Sequence, residues 1–122
     1  MKKELRLRRS GDIGKVLNQG RSWPHRLVVL CALPNELGHN RYAFAASKRV
    51  GNAVARNRAK RLMREGVRLA HDALTQGWDI VLIARQRLPQ ATYADLEKAL
   101  SQLFRRAGMW CRHEPNGGEG LP

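Results

Sequence analysis

Residues 47–65, SKRVGNAVARNRAKRLMRE, carry seven cationic side chains and meet their first acid only at Glu65. No acidic residue lies between Glu36 and Glu65. Charges at this density cannot be paired locally, so they must face water or a polyanion. Arginine outnumbers lysine, which favours forked contacts to phosphate groups or stacking on bases. Nucleic acid is therefore the leading predicted partner. The seven residues are Lys48, Arg49, Arg56, Arg58, Lys60, Arg61 and Arg64.

A helical wheel at about 100° per residue divides this segment into two faces. The cationic arc holds Arg56, Lys60, Arg61 and Arg64 together with Asn57 and Arg68. The opposite arc holds Ala55, Ala59, Leu62, Met63, Gly66, Leu69, Ala70 and Ala73, which we expect to pack on a sheet. A solvated surface helix is the alternative, but such helices mix Glu with Lys and Arg to gain pairing. Asn57 is expected either to bond a phosphate or sugar or to make a local structural bond.

The composition of the whole chain agrees with a single domain that binds a polyanion. The chain has 122 residues, a net charge of +13 and 43% hydrophobic residues, enough for one buried core. The longest apolar run, 27–33, is too short to span a membrane, and the basic N-terminus lacks a secretory apolar segment, which predicts a cytoplasmic protein. Cys31 lies in the apolar run and is predicted to be a buried core thiol. Neither the cysteines nor the histidines have the spacing of metal ligands.

Periodicity and capping residues predict a small α/β domain over residues 1–111, with a flexible basic arm at 1–9 and a disordered tail at 112–122. Two strands, 27–33 and 41–46, are expected to form an antiparallel hairpin. Thr92 and Asp95 predict a capping box. The remaining elements are a helix capped by Ser10 or Asp12 and stopped at Gly20, a long helix at 52–74, a buried strand at 79–84, and a helix from Thr92 to about Gly108.

The motif residues resemble the signature of the bacterial ribonuclease P protein subunit. Ser47 to Val54 (SKRVGNAV) is followed by Arg-Asn-Arg at 56–58, then by Lys-Arg at 60–61 and Arg-Glu at 64–65. Arg6-Leu7-Arg8 with Asp12 is similar to the N-terminal segment of that family, and Arg41 and 79–81 match the strands that flank the motif. The resemblance covers residues 5–107 and implies RNA contacts by Lys48, Arg49, Asn52, Arg56, Asn57, Arg58, Lys60, Arg61, Arg64 and Arg68.

The resemblance also implies a fold and a function. The fold is a two-layer α/β sandwich with a four-stranded sheet, in the order α-β-β-β-α-β-α, with a left-handed β-α-β crossover; residue patterns alone give three strands and the usual right hand. The protein is expected to bind the catalytic RNA subunit of ribonuclease P and the 5′ leader of precursor tRNA. It is then an accessory subunit of an endoribonuclease, and the RNA cleaves with Mg²⁺ that the RNA mainly holds. No protein side chain is expected to be catalytic, and no protein metal site, small-molecule substrate or membrane partner is expected.

The leader cleft is expected between the first helix and a sheet face. Family aromatics are replaced by Ile13 and Leu17 on the helix and by Leu30 on a strand, so leader contact would depend more on aliphatic packing and charge. Lys15 and Arg26 are placed near leader phosphates, and a solvated lysine is the alternative for Lys15.

Other functions are less well supported by the residues. No nucleophile set, phosphate-binding glycine loop or carboxylate cluster for a protein nuclease is present in the sequence. A generic RNA-binding protein, such as a ribosomal or ribonucleoprotein assembly factor, is the alternative. A DNA-binding module is weaker, because the basic helix has no preceding helix and tight turn.

Overall fold

Four strands form one sheet, and three helices pack on it. The computed structural model describes residues 2–111, so the predicted tail at 112–122 lies outside the described residues. The element order matches the α-β-β-β-α-β-α prediction. The elements are α1 (Ser10–Gln19), β1 (Arg21–Pro24), β2 (Val28–Pro34), β3 (Arg41–Ala45), α2 (Ala53–Ala70), β4 (Trp78–Ala84) and α3 (Tyr93–Arg106).

The sheet order is β1-β2-β4-β3, so the predicted hairpin between the second and third strands is wrong. β4 lies between them, antiparallel to β2 and parallel to β3. The reason is that Ile80, Val81 and Leu82 are all buried, and a strand that is apolar on both faces gains most at the centre of a sheet. A parallel pair needs a crossover, which α2 supplies between β3 and β4. The left hand of that crossover remains a prediction.

β1 is the strand that residue patterns missed. Its four residues are mostly exposed, and only Trp23 is partly buried. It pairs with β2 from Arg21↔Ala32 to Pro24↔Val29. Proline cannot donate a ladder bond, so Pro24 is tolerated at this edge position. A short, polar segment that ends in proline shows no alternation of apolar and polar residues from which a strand could be predicted. Its strand conformation depends on pairing with β2.

The two faces of the sheet are covered unequally. α2 and α3 cover one face, where Leu30, Tyr42, Ile80 and Leu82 join helix residues in the main core. Cys31, predicted as a core thiol, is buried with Leu7, Val16 and Val81 beneath α1 on the opposite face. Half-buried apolar side chains surround that smaller cluster: Ile13, Val29, Leu33, Ala43 and Ile83.

The N-terminal segment contacts the sheet edge. Arg6 forms a parallel bridge with Tyr42, and the backbone N–H of Leu7 donates to the carbonyl of Tyr42 over 2.8 Å. Leu7 is buried. At least these two residues of the expected arm lie against β3; the flexibility of 1–9 remains a prediction.

Helix ends follow the predicted capping only in part. Thr92 and Asp95 form the predicted capping box at α3. At α1 the N-cap position is Arg9, which makes no side-chain cap bond, so the predicted caps at Ser10 and Asp12 are wrong. Asp12 instead reaches Arg41, 3.7 Å away. The predicted stop at Gly20 is confirmed.

Candidate nucleic-acid interface

A rigid turn presents the first two cations of the motif. Ser47 accepts a hydrogen bond from the N–H of Arg49 over 3.3 Å, and residues 48–50 form one turn of 3-10 helix. Gly51 follows with a φ angle of 142°, a backbone conformation that residues other than glycine rarely adopt. Asn52 is the N-cap of α2, its side-chain oxygen accepting from the N–H of Ala55 over 2.9 Å. Lys48 and Arg49 are therefore held exposed just before the helix.

The underside of α2 packs on the sheet and on α3. Ala59, Met63, Gly66 and Val67 are buried. The two helices approach closely at Gly66, because a Cβ there would lie 2.5 Å from Cδ1 of Leu100 and that side chain would have to move. The wheel placed Leu69 on this face, which is wrong, since it is 54% exposed, and it left out Val67. The buried arc is thus rotated toward Arg56 and Lys60, which are half-buried.

The outer face of α2 is cationic, as predicted. Asn57, Arg61, Arg64 and Arg68 are exposed. The side chains of Arg61 and Asn57 make no hydrogen bond or ion pair with any described residue, so the local structural bond considered for the Asn57 amide is absent from this part of the chain. Arg68 is paired: its guanidinium donates to both carboxylate oxygens of Glu65 over 3.1 and 2.6 Å. That bond lowers the pKa of Glu65.

Arg58 differs from the exposed cations of the outer face in that its guanidinium bonds a neighbouring loop. Its Nε donates to the carbonyl of Pro89 over 2.8 Å, and its Nη2 reaches the carbonyl of Ala91 over 3.3 Å. These carbonyls belong to the loop between β4 and α3. In this structure Arg58 therefore fastens α2 to that loop, and an additional RNA contact by Arg58 stays a prediction.

A groove with a volume of about 500 Å³ runs between the N-terminal segment, β3 and α2, and we call it the basic groove. The guanidinium of Arg64 lies over the ring of Phe44, 5.7 Å from its centroid, a cation–π distance. The groove concentrates positive charge above an aromatic ring, which suits phosphates and stacked bases. Its lining residues are Arg6, Leu7, Arg8, Ile13, Tyr42, Ala43, Phe44, Lys60 and Arg64.

Three of the five expected leader-cleft residues lie on α1. Ile13 is half-buried and lines the basic groove, Lys15 is exposed, and Leu17 is 49% exposed. Ile13 packs on the same sheet face as Val29 and Ile83. The basic groove thus joins the outer face of α2 to the partly covered sheet face beside α1.

The other two cleft residues are not brought to this surface. Leu30 is fully buried in the main core, on the face covered by α2 and α3. Its neighbours Val29 and Cys31 face α1, because successive side chains of a strand alternate. Arg26 is exposed in the turn before β2 and lines a hollow with Arg87 and Asp95.

An ion-pair network ties α1 to the sheet. Arg41 donates from Nε to Oδ1 of Asp79 over 2.8 Å and from Nη2 to Oδ2 over 2.7 Å. The two residues are register partners at the start of β3 and β4. The hydrogen bond to Asp79 raises the pKa of Arg41. Since Asp12 of α1 lies near the same guanidinium, the network helps to orient the helix that carries Lys15.

The described residues contain neither a metal-ligand cluster nor a membrane-spanning helix. Among residues 2–111, no three His, Cys, Asp or Glu side chains are grouped so as to hold a metal ion. No helix in that range is both long and apolar enough to cross a bilayer.

Comparisons with known proteins agree across almost the whole chain. The family model described as Ribonuclease P matches residues 1–108. The ribonuclease P protein component of Herpetosiphon aurantiacus is 36% identical over 110 residues, covering 90% of this chain and 89% of the relative. That of Dehalococcoides mccartyi is 42% identical over 107 residues, covering 88% of each. The structure of the Staphylococcus aureus RNase P protein has a TM-score of 0.79 at 29% identity, covering 87% of this chain and 97% of that one. The Thermotoga maritima RNase P protein gives 0.76 at 27% identity, covering 83% and 96%.

Proposed function

The chain belongs to the ribonuclease P protein family, and we propose that it binds the catalytic RNA of ribonuclease P and the 5′ leader of precursor tRNA. In this role it is part of an endoribonuclease complex that processes tRNA. The observation that carries the proposal is the continuous surface formed by the exposed cations of α2, the basic groove and the sheet face beside α1.

The division of work along this surface follows from its chemistry. The exposed guanidinium groups of Arg61 and Arg64 lie on a helix fixed by its buried underside, so they hold phosphates at set positions. The catalytic RNA is long and structured, and we assign it to this face. The sheet face beside α1 is more apolar, with half-buried Ile13 and Ile83, and α1 also carries the exposed Lys15. This face suits a single strand, and we assign the leader to it.

Catalysis in this proposal belongs to the RNA subunit, assisted by Mg²⁺. The described residues group no ligands for such an ion, so no step is assigned to a protein-bound metal. The protein lowers the free energy of the complex by neutralising phosphates, which otherwise repel one another and require more counterions. Its contribution is therefore expected to be greatest when magnesium is scarce. A cytoplasmic location remains part of the proposal.

Reconstitution tests this function. The purified protein is mixed with a bacterial ribonuclease P RNA subunit, and precursor tRNA cleavage is measured at low magnesium. We expect faster cleavage than with RNA alone. A generic RNA-binding or assembly protein would bind the RNA without increasing the rate. No increase at any protein concentration would therefore refute the ribonuclease P role in favour of that alternative.

A further inference from the structure

A second hollow lies on the flank of α2, where the helix meets the start of α3. It has a volume of about 390 Å³ and shares no lining residue with the basic groove. We call it the flank pocket. Its lining residues are Arg58, Arg61, Leu62, Glu65 and Tyr93.

The phenol oxygen of Tyr93 is buried and has no hydrogen-bond partner among residues 2–111. A buried hydroxyl without a partner loses its hydration and gains nothing in return. The neighbouring Thr92 and Asp95 bond each other in the capping box, so they do not supply the missing partner. Burial raises the pKa of Tyr93, and Glu97 and Glu65 add to the increase. The hydroxyl therefore keeps its proton at neutral pH and lacks an acceptor among residues 2–111.

The other walls of the flank pocket have mixed chemistry. Arg61 is exposed, and its side chain makes no hydrogen bond or ion pair with any of residues 2–111. Glu65 supplies a carboxylate that already accepts two bonds from Arg68. Leu62 is half-buried and adds aliphatic surface. The pocket thus combines free and fixed cations, an acceptor, an aromatic ring and an apolar patch.

This combination suits a nucleotide better than a phosphate group alone. A lone phosphate would contact the guanidinium groups and leave the Tyr93 ring and the aliphatic surface of Leu62 without a partner. A paired base cannot leave its helix to enter a hollow at low cost, whereas unpaired bases stack on aromatic and guanidinium groups and bond along their edges. An unpaired nucleotide offers a ring face, edge acceptors for a hydroxyl and a phosphate for a guanidinium.

We propose that the flank pocket binds one unpaired nucleotide of RNA, with Tyr93 donating to the base edge and Arg61 contacting the base or its phosphate. This inference rests on the RNA-binding function proposed above and adds a contact site beyond the cationic face of α2. The nucleotide can come from the catalytic RNA or from the precursor tRNA leader. Two measurements distinguish these sources. A nucleotide of the catalytic RNA would affect binding of the protein to that RNA alone. A leader nucleotide would affect binding of leader-bearing tRNA, but not of leaderless tRNA, to the assembled complex.

The test is Tyr93→Phe, which removes the hydroxyl and keeps the ring. Because the hydroxyl has no partner in the free protein, we expect an unchanged or higher melting temperature together with RNA binding weakened by about two- to tenfold. Tyr42→Phe is the matched control for stability, since the Tyr42 hydroxyl is bonded to Asn40 and His71, and it should lower the melting temperature.

A second variant, Arg61→Lys, keeps the charge and loses the planar guanidinium fork. It should weaken binding to the same RNA, catalytic RNA or leader-bearing tRNA, that Tyr93→Phe weakens. If both variants bind both RNAs as tightly as the wild type, the flank pocket takes no nucleotide. In that case the wild-type protein would still increase precursor tRNA cleavage, so the proposed function would stand. If the wild type itself fails to bind the catalytic RNA, the proposed function fails first.

Discussion

The phenol oxygen of Tyr42 lies 2.7 Å from Nδ1 of His71, which joins edge strand β3 to the turn that follows α2. Asn40 donates a second hydrogen bond to the same oxygen over 3.1 Å. Since Asn40 is the donor in that bond, the phenol proton is available to Nδ1 of His71. Tyr42 is buried and is one of the residues that line the basic groove. The network therefore fixes β3 and α2 together where RNA is expected to bind.

Alkaline pH is predicted to destabilise the protein through Tyr42. Burial raises the pKa of Tyr42 from 10.0 to about 12; the bond from Asn40 opposes the increase and the charge of Asp72 adds to it. The unfolded chain loses this proton first, so the contribution of Tyr42 is constant below about pH 10. Stability then falls by up to about 1.4 kcal/mol per pH unit as the pH rises toward 12.

Urea unfolding followed from about pH 9 to about pH 11.5 measures this dependence. Tyr42→Phe has no such proton to lose, so its stability should fall less steeply over the same range, although it starts lower. Lysines titrate alike in both proteins, so the difference between the two curves isolates the tyrosine. Parallel curves would contradict the assignment.

Arg58→Ala is predicted to lower stability rather than to act only on RNA affinity. It removes both bonds from α2 to the loop carbonyls of Pro89 and Ala91, at a cost of about 1 kcal/mol. Arg58→Lys should recover little, because an ammonium group cannot reproduce the guanidinium fork. Arg61→Ala is the control, because its exposed side chain makes no hydrogen bond or ion pair with the described residues, and it should change the free energy of unfolding by less than about 0.5 kcal/mol. Equal unfolding midpoints for Arg58→Ala and wild type would show that the fastening contributes nothing.

RNA affinity is predicted to depend on salt through the outer face of α2. Removing a cation that neutralises one phosphate should reduce the slope of log affinity against log salt by about 0.7–0.9. The double variant Arg61→Ala with Arg64→Ala should therefore show a shallower slope with the catalytic RNA. Arg85→Ala with Arg87→Ala removes the same charge from exposed positions after β4. If this control changes the slope equally, the effect reflects net charge and not a defined face.

Leader contact is predicted to involve Lys15 and not Arg26. Lys15→Ala should weaken binding of leader-bearing precursor tRNA more than that of mature tRNA, because Lys15 is exposed on α1 beside the partly covered sheet face. Arg26→Ala should affect both substrates alike, since Arg26 lies in a hollow with Arg87 and Asp95. Binding of both tRNAs to the assembled complex measures the ratio. A ratio changed by Arg26→Ala alone would reverse the placement.

Local sequence signals predicted the helices well and the strand pairing poorly. The capping box at Thr92 and Asp95 and the stop at Gly20 depend on nearby residues, so they could be read directly. The place of β4 between β2 and β3 depends on contacts between distant segments. Adjacency in sequence favoured a hairpin, but burial on both faces of β4 decided the order.

The candidate site was predicted to the accuracy of a helix face, and no better. Cationic periodicity located the outer face of α2, yet the wheel could not show that Arg58 bonds the neighbouring loop or that Leu69 is exposed. Leu30 was predicted to face the leader cleft, but its side chain lies on the opposite face of the sheet, in the main core. A shift of one position along β2 is enough to move a side chain from one face to the other. Nothing in the local sequence specifies which alternation faces α1.

Because α2 is the crossover between β3 and β4, the helix that we propose to face RNA is also the chain connection that completes the sheet. Edge strand β3 pairs with β4 alone among the strands of residues 2–111. Any ligand that binds the native α2 and not the unfolded chain raises the stability of the whole domain with its concentration. Assembly with RNA and folding of the protein are in this way thermodynamically linked, and the holoenzyme's RNA acts as a folding ligand for its protein subunit.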